Sequence, residues 1–285
     1  MEQIVFLNGR FVPERQAVIS VEDRGNTFGD GVYEVVRIYE GRPFQLEAHL
    51  ARLERSAAAI RLPLPMTPEE IASAARELIE RNGCADASLY LQVSRGVAPR
   101  QHQFPDGAQP TVFMIARPVD PKAITTYRQG VRCISVEDRR WTMCHVKAIT
   151  LLPNVLAKQA AKDAGAFEAI FVREGVVTEG SSSNVFAVSG KRLYTHPEGP
   201  FILSGVTRRL VIDLARRLGL EVCEAPFTLS DLKEADEVFL TSTVIEIAPV
   251  VRIDGQRVGK GGPGTRTVDL QQAFDKLKEG PSGVD

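Results

Sequence analysis

A tight turn runs directly into a strand in the stretch Phe28-Gly29-Asp30-Gly31-Val32-Tyr33-Glu34-Val35-Val36-Arg37-Ile38-Tyr39. The two glycines allow the turn, because glycine adopts backbone angles that other residues avoid. The residues after them are mainly β-branched or aromatic, which is typical of a strand. Turn-forming residues then end the strand at Glu40-Gly41-Arg42-Pro43. We therefore expect a sheet in the first half of the chain.

Further strands and helices are predicted on both sides of this strand. Asn8-Gly9 lies between two apolar runs and is typical of a two-residue hairpin turn. A helix is expected at 46–61, where apolar residues recur at helical spacing. A second helix begins at the capping sequence Thr67-Pro68-Glu69-Glu70 and ends near Arg81. The remaining strands of this half are predicted at 87–95 and 111–116.

The second half of the chain has the same mixture of elements. Its strands are predicted at 131–136, 167–173, 184–188, 236–241 and 244–251. Its helices are predicted at 153–164, 206–218 and 266–278, and the tail at 280–285 is expected to fray. Because strands and helices are segregated as much as they alternate, we predict an α+β fold rather than a doubly wound parallel sheet.

Two prolines within Arg117-Pro118-Val119-Asp120-Pro121-Lys122 are typical of a connection between domains. We predict a small N-terminal domain at 1–117, a linker at 118–122 and a large C-terminal domain at 123–285. A chain of 285 residues suits two domains of ordinary size.

The composition is that of an ordinary globular protein, with 44% hydrophobic residues, 25% charged residues and a net charge of −1. A near-neutral chain without a basic block argues against nucleic acid as the main partner. No apolar run approaches the ~20 residues that span a bilayer. The first residues lack the pattern of a signal peptide, so we expect no membrane partner and a cytoplasmic location. The four widely spaced cysteines are expected to be buried thiols.

Several common catalytic motifs are absent from the sequence. It contains no G-x-G-x-x-G after a predicted strand, as a dinucleotide site requires, and no P-loop, no H-E-x-x-H and no G-x-S-x-G. The four histidines show no paired spacing of metal ligands. The sequence therefore predicts no metal site and does not favour a hydrolase, a kinase or a metalloenzyme.

Lys147 lies in the apolar stretch Trp141-Thr-Met-Cys-His-Val-Lys147-Ala-Ile-Thr-Leu-Leu, where burying a lysine is costly. Burial lowers the pKa of a lysine, and the neutral amine can form a Schiff base. The alternative is a lysine on an edge strand whose ammonium extends to water. The residues alone leave both interpretations open.

Three polar segments are candidates for ligand contacts. Ser204-Gly205-Val206-Thr207 precedes an amphipathic helix, and the N–H groups at a helix N-terminus attract anions such as phosphate. Thr178-Glu179-Gly180-Ser181-Ser182-Ser183-Asn184 is rich in hydrogen-bonding groups and lies between two strand-like runs. Arg100 and His102 lie two residues apart in a proline-bounded loop and suit a carboxylate. Each segment also fits an ordinary surface helix or turn.

Together and in this order, these segments resemble the fold-type-IV pyridoxal-phosphate enzymes. The matching features are residues 28–34, Arg52, Lys147, residues 179–184, residues 205–208 and Thr241-Ser242-Thr243. The resemblance covers about residues 4–275. It implies a two-domain α+β fold, with a smaller N-terminal α/β sandwich and a larger C-terminal β-barrel-like domain with flanking helices.

The resemblance also implies a cofactor and its ligands. Lys147 would hold pyridoxal 5′-phosphate (PLP) as an internal aldimine, which is a Schiff base, and would transfer protons as catalytic base and acid. Glu179 would bond the pyridine nitrogen of the cofactor. The other implied cofactor contacts are Arg52, Ser182, Leu203, Gly205, Val206, Thr207, Ser242 and Thr243.

Within the superfamily, the run from Arg95 to Pro105 is most similar to D-amino acid aminotransferases. The resemblance implies that Tyr33, Arg100 and His102 bind the substrate α-carboxylate. Arg100 and His102 would reach it from the neighbouring subunit, which implies a homodimer with shared active sites. The implied reaction is a ping-pong transfer between D-amino acids and 2-oxo acids, such as D-alanine plus 2-oxoglutarate giving pyruvate plus D-glutamate.

The sequence departs from the family pattern near the lysine. Ala148 and Thr150 replace the Ser and Asn of many relatives, and His145 stands where an acid is common. Other activities of the same scaffold are the alternatives: aminodeoxychorismate lyase, branched-chain L-aminotransferase or R-selective amine transaminase. A phosphate-ligand binder without turnover is the alternative outside the enzymes.

Overall fold

The computed structural model describes residues 2–279, which form two compact units. The first unit holds residues 2–119 together with Val146–Thr150. The second unit holds Asp120–His145 and residues 151–279. The tail at 280–285, which the sequence predicts to fray, lies outside the described residues.

Residues 146–150 belong to the first unit, whereas the sequence predicts them in the large C-terminal domain. Ala148 forms an isolated antiparallel bridge with Val32. The N–H of Tyr33 donates to the Lys147 carbonyl at 3.0 Å. These bonds attach the lysine segment to the sheet of the first unit, and no local sequence pattern predicts such a long-range contact.

The first unit is built on a six-stranded sheet in which all neighbours are antiparallel. Its strands are β1 (Ile4–Leu7), β2 (Arg10–Pro13), β3 (Gly31–Tyr39), β4 (Arg42–Pro43), β5 (Ala87–Ser94) and β6 (Thr111–Pro118). They lie in the order β2-β1-β6-β5-β3-β4. The predicted Asn8-Gly9 hairpin joins β1 to β2, with both residues at positive φ, and is confirmed.

Two long helices pack against this sheet. The helices of the first unit are α1 (Arg24–Phe28), α2 (Leu46–Ala59) and α3 (Pro68–Arg81), with a short 3-10 helix at Glu14–Gln16. Helix α2 packs on β3, and α3 packs on β1 and β6. The predicted capping box of α3 is confirmed, because Thr67 and Glu70 exchange side-chain and backbone hydrogen bonds. Val32, Val36 and Ile38, at alternate positions of β3, contribute to the core.

The second unit contains a nine-stranded sheet that curls into a half-barrel. Its strands are β7 (Val131–Glu137), β8 (Glu168–Arg173), β9 (Val176–Gly180), β10 (Asn184–Ser189), β11 (Arg192–Thr195), β12 (Glu221–Glu224), β13 (Glu237–Ser242), β14 (Glu246–Ile253) and β15 (Gln256–Arg257). They lie in the order β12-β11-β10-β13-β14-β7-β8-β9, and β15 pairs with β14. Strand β7 pairs in parallel with β14 and β8, and β11 pairs in parallel with β12.

Five helices accompany this sheet and bury apolar side chains with it. They are α4 (Pro121–Arg128), α5 (Leu152–Asp163), α6 (Val206–Arg217), α7 (Leu229–Glu234) and α8 (Thr265–Glu279). Ala157 and Ala161 of α5 pack on Ala169 and Phe171 of β8. The mixture of helices and sheets in both units confirms the predicted α+β class. No helix between residues 2 and 279 is long and apolar enough to cross a membrane.

The largest differences from the predicted elements occur at short segments. Strand β9 includes Thr178 and Glu179, which the sequence places between two strand-like runs and not within one. Helix α4 begins at Pro121, inside the segment predicted as a linker. Strands β11 and β12 and helix α7 have four to six residues each and no clear periodicity, so tertiary pairing rather than local pattern determines them.

Candidate active site

Lys147 is held beside Tyr33 in the first unit. Its N–H donates to Ser56 Oγ at 3.1 Å, and its carbonyl accepts the bond from Tyr33. The Lys147 Nζ lies 4.3 Å from the centroid of the Tyr33 ring, and the lysine is half-buried. The structure therefore brings together the predicted nucleophile and one residue predicted to bind the substrate carboxylate.

The glycines of the predicted turn allow the lysine segment to approach β3. A Cβ on Gly31 would lie 2.6 Å from a carbonyl oxygen of β5 and 3.0 Å from Cδ1 of Ile149. A Cβ on Gly29, whose φ is +65°, would lie 2.6 Å from Cγ2 of Thr150. The two 2.6 Å contacts are shorter than real Cβ atoms show, so a side chain at either position would displace a neighbour, namely the backbone of β5 for Gly31 and the Thr150 side chain for Gly29.

Arg52 is oriented by a buried carboxylate. Glu34 of β3 accepts from Arg52 Nε at Oε1 and from Arg52 Nη2 at Oε2, both at 2.8 Å. The Nδ1 atom of His49 lies 2.8 Å from the same Oε2. Burial would raise the pKa of Glu34, but Arg52 and His49 lower it to about 2. Sequence reasoning missed Glu34 and His49 as partners of Arg52, although a charged residue in an apolar strand was a usable signal.

Glu179 is the buried carboxylate of the second unit and is 5% exposed at the end of β9. Its Oε2 accepts from Asn184 Nδ2 at 3.0 Å and from the Leu203 N–H at 2.9 Å, and its Oε1 accepts from Arg140 Nη1. Burial raises the pKa of Glu179, and Arg140 offsets this only in part. A carboxylate has about four acceptor positions, so three donors leave room for one more.

Arg140 was not predicted as a site residue, although it connects Glu179 to a second carboxylate. It donates from Nε and Nη2 to Asp138 at 2.9 and 3.0 Å. Its guanidinium carbon also lies 4.2 Å from the centroid of the Phe171 ring. The charges of Asp138 and Arg140 close together in the sequence were the available signal, but only the fold shows that they reach Glu179.

The N-terminus of α6 is buried, and no side chain among the described residues caps it. Gly205 is the N-cap residue, and Val206 and Thr207 begin the first turn. The first N–H groups of a helix lack partners within the helix, so a buried and uncapped start needs another acceptor. A Cβ on Gly205 would lie 2.2 Å from Asn184 Oδ1, which explains the glycine. This donor set fits a phosphate group.

The remaining residues predicted to contact the cofactor lie in three different places in the second unit. Leu203 belongs to the Glu179 site, because its carbonyl accepts from Asn184 Nδ2 at 2.9 Å. Ser242 and Thr243 are half-buried where β13 ends. The hydroxyl of Ser182 instead donates to the buried Glu168 at 2.9 Å, as Ser181 and Ser183 also do. The three serine hydroxyls thus bond the Glu168 carboxylate, which the sequence alone does not single out.

Arg100 and His102 lie on the exposed loop between β5 and β6. Both contact the ring of Phe28, with the Arg100 guanidinium carbon 5.1 Å and the His102 ring centroid 5.5 Å from its centroid. The structure therefore brings these two predicted residues together on one aromatic ring. Tyr33, the third residue predicted to bind the carboxylate, lies on β3.

Known proteins resemble this chain over nearly its whole length. The profile of the amino-transferase class IV family matches residues 31–253. The D-alanine aminotransferase of Bacillus licheniformis is 46% identical over 95% of each chain. The D-alanine aminotransferase of Staphylococcus haemolyticus is 42% identical over 98% of this chain and 99% of that protein.

Solved structures of branched-chain amino acid aminotransferases share the fold. One from the thermophilic archaeon Thermoproteus uzoniensis, with norvaline, superposes with a TM-score of 0.90 at 32% identity and covers 98% of this chain and 95% of that chain. One from Escherichia coli has a TM-score of 0.89 at 29% identity and covers 97% of this chain and 94% of that chain. The predicted two-domain fold of the type-IV enzymes is confirmed, and the chain belongs to the amino-transferase class IV family.

Proposed function

We propose that this protein is a PLP-dependent aminotransferase that moves the amino group between D-amino acids and 2-oxo acids. The observation that carries the proposal is its 41–46% identity to D-alanine aminotransferases along nearly the whole chain, against 28–32% to the branched-chain enzymes. D-Alanine plus 2-oxoglutarate giving pyruvate plus D-glutamate is the expected reaction.

Lys147 and Glu179 are the proposed catalytic residues. PLP, when bound, supplies an aldehyde for the amine and a ring that accepts electrons. Lys147 would hold the cofactor through Nζ, and this amine would take the proton from the substrate Cα as a base and return a proton as an acid. Glu179 would accept a hydrogen bond from the pyridine nitrogen through its remaining acceptor position. Arg140, Asn184 and the Leu203 N–H keep the Glu179 carboxylate oriented for this contact.

The phosphate of the cofactor is proposed to bind at the N-terminus of α6. The buried N–H groups and the Thr207 hydroxyl attract an anion of nearly two charges there. Arg52, fixed by Glu34, is the proposed cation for this group. The further proposed contacts are Ser182, Leu203, Gly205, Val206, Ser242 and Thr243.

Tyr33, Arg100 and His102 are proposed to bind the α-carboxylate of the substrate. Arg100 and His102 are exposed in the single chain, which suits side chains that serve a neighbouring subunit. A homodimer is therefore part of the proposal. The cytoplasm is the proposed location, and the four free cysteines suit a reducing compartment.

The test begins with the lysine. Reduction of the PLP-loaded protein with borohydride should fix the cofactor on Lys147, as identified by peptide mapping. Lys147→Ala should abolish transamination of D-alanine, whereas Lys191→Ala, which changes an exposed lysine, should keep it. Label on another lysine, or turnover by Lys147→Ala at the wild-type rate, contradicts the proposal.

Substrate choice is tested by three amino donors given separately. D-Alanine should convert the cofactor to its amine form, while L-leucine and an achiral amine should do so much more slowly. Faster reaction with L-leucine would identify a branched-chain enzyme, and faster reaction with the amine would identify an amine transaminase. A bound chromophore without turnover of any donor would identify a binding protein.

A further inference from the structure

The loop that carries Arg100 and His102 is held by a buried arginine outside it. Arg24, at the start of α1, is 3% exposed. Its Nη1 donates to the carbonyls of Gln101 at 2.6 Å and Gln103 at 3.3 Å, and its Nη2 donates to the His102 carbonyl at 3.3 Å. Three consecutive carbonyls bonded to one guanidinium restrict the backbone of the loop, although its side chains are exposed.

Asp30 orients this arginine and a second one. Its Oδ2 accepts from Arg24 Nε and from Arg95 Nε, both at 2.8 Å, and its Oδ1 accepts from Arg95 Nη2 at 3.0 Å. The Arg95 guanidinium carbon lies 3.7 Å from the centroid of the Phe104 ring, further along the loop. Burial would raise the pKa of Asp30, but the two arginines lower it, so the carboxylate stays charged at neutral pH. One carboxylate thus fixes two cations that touch the loop at different points.

The ring of Phe28 connects this cluster to the exposed side chains. The guanidinium carbon of Arg24 lies 4.7 Å from its centroid, and that of Arg100 lies 5.1 Å from it. The His102 ring meets the Phe28 ring edge-on at 62°. Cations and aromatic edges are attracted to an aromatic face, so this ring favours one arrangement of both side chains.

We propose that Arg24, Asp30 and Phe28 are positioning residues that hold Arg100 and His102 in the arrangement that binds a substrate carboxylate. The inference rests on the proposed function, because it assigns these residues to the carboxylate site. Their contribution is preorganisation: a loop already ordered loses less freedom when the substrate binds. The alternative is a cluster that only stabilises the first unit, and the two make different kinetic predictions.

The first experiment separates KM from kcat. Arg24→Met keeps most of the side-chain volume and leaves Asp30 paired with Arg95, but removes every bond to the loop carbonyls. We expect KM for D-alanine to rise about tenfold, with kcat within about threefold of wild type and PLP affinity unchanged. Arg117→Met, which changes an exposed arginine of the same unit, is the control and should leave both constants unchanged. A lower kcat at constant KM would show a purely stabilising role and overturn the proposal.

Proteolysis tests the loop without using activity. Trypsin cleaves after Arg100, and we expect cleavage there to be about tenfold faster in Arg24→Met than in Arg117→Met, because an unrestrained loop reaches the protease more often. Phe28→Leu, which leaves the bonds of Arg24 in place, should raise KM while the cleavage rate changes little. Equal cleavage of Arg24→Met and its control overturns the proposal. If no variant and no wild type transaminates D-alanine, the proposed function fails while cleavage still reports on the loop.

Discussion

Glu34 of the first unit and Glu179 of the second are both buried glutamates bonded to an arginine, and they differ in the number of bonds that the arginine makes to them. Glu34 receives two bonds from Arg52, and His49 lies within hydrogen-bond distance of it as well. Glu179 receives one bond from Arg140, whose Nε and Nη2 both bond Asp138. Both carboxylates are nearly inaccessible, yet the pKa of Glu34 is lowered and the pKa of Glu179 is raised.

The difference indicates which carboxylate needs a ligand. Glu34 is neutralised within its own unit, so it serves to orient Arg52. Glu179 shares Arg140 with Asp138, which Arg173 also contacts, and burial outweighs the one bond from Arg140, so the pKa of Glu179 is raised. A protonated ring nitrogen would bring a further positive charge directly to Glu179, which is the contact proposed for PLP. Substitution of each carboxylate by its amide separates a structural glutamate from a functional one.

The largest effect is expected on folding stability from Glu34→Gln. The substitution leaves Arg52 buried without its counter-charge, and breaking a buried pair in this way costs about 3 kcal/mol or more. Chemical denaturation should show this loss in the free energy of unfolding. Glu77→Gln, on the surface of α3, removes an exposed ion pair and should cost under about 1 kcal/mol. A Glu34→Gln protein as stable as wild type would show that Arg52 does not depend on this pair.

The opposite behaviour is expected of Glu179→Gln. The amide oxygen can still accept from Asn184 and the Leu203 N–H, and Arg140 loses its bond to residue 179 but keeps those to Asp138, so the loss of stability should be smaller than in Glu34→Gln. The value of kcat should fall about a hundredfold, or ~2.7 kcal/mol, because a neutral amide stabilises a protonated ring nitrogen poorly. Glu174→Gln, in an exposed turn of the same unit, should match wild type in both respects. Loss of stability without loss of kcat would reverse the roles of the two glutamates.

A smaller effect is expected from Gly205→Ala, which acts on the Glu179 site through a neighbour. The added methyl would meet Asn184 Oδ1 at 2.2 Å, and Asn184 also bonds Glu179. Displacement of this amide should disturb both the start of α6 and the carboxylate, and weaken PLP binding about tenfold, or ~1.4 kcal/mol. Fluorescence titration of the PLP-free protein measures this.

The control for this substitution is Gly199→Ala, because a Cβ on Gly199 would meet no atom within 4 Å. It should leave PLP affinity unchanged. Equal affinity in both variants would mean that Asn184 moves aside freely and that the start of α6 is not coupled to Glu179.

Long periodic elements and turn sequences could be predicted from the sequence, because their signals are local. The capped start of α3 and the Asn8-Gly9 hairpin depend on a few adjacent residues, and both are confirmed. Membership in the class IV family is confirmed as well, since the ordered motifs that suggested it span the chain. The separate roles of Lys147 and Glu179 stay predictions, supported by their surroundings.

The partners of the predicted residues could not be found in this way. Arg140 meets Glu179, and Glu34 meets Arg52, only because strands and helices distant in sequence pack together. The placement of residues 146–150 in the first unit has the same origin, since Ala148 bridges to β3. A local sequence pattern can identify a residue whose type suits the chemistry. Its charge state depends on neighbouring groups, and tertiary contacts bring those neighbours from distant parts of the sequence.

The smallest effect is expected in the pH dependence of stability, where the two glutamates act in opposite directions. The folded pKa of Glu34, about 2, lies below its unfolded value of about 4.5. Its contribution is therefore complete above pH ~4.5 and is lost as the pH falls toward 2; the loss between pH 4.5 and 3.5 is about 1 kcal/mol. The pKa of Glu179 is raised, so its contribution instead decreases as the pH rises above its unfolded value. Below pH ~4.5, the free energy of unfolding should fall less steeply with decreasing pH in Glu34→Gln than in wild type. Above the unfolded pKa of Glu179, it should fall less steeply with increasing pH in Glu179→Gln than in wild type. Parallel curves for all three proteins would mean that neither carboxylate changes its proton affinity on folding, and the contrast between the two would be lost.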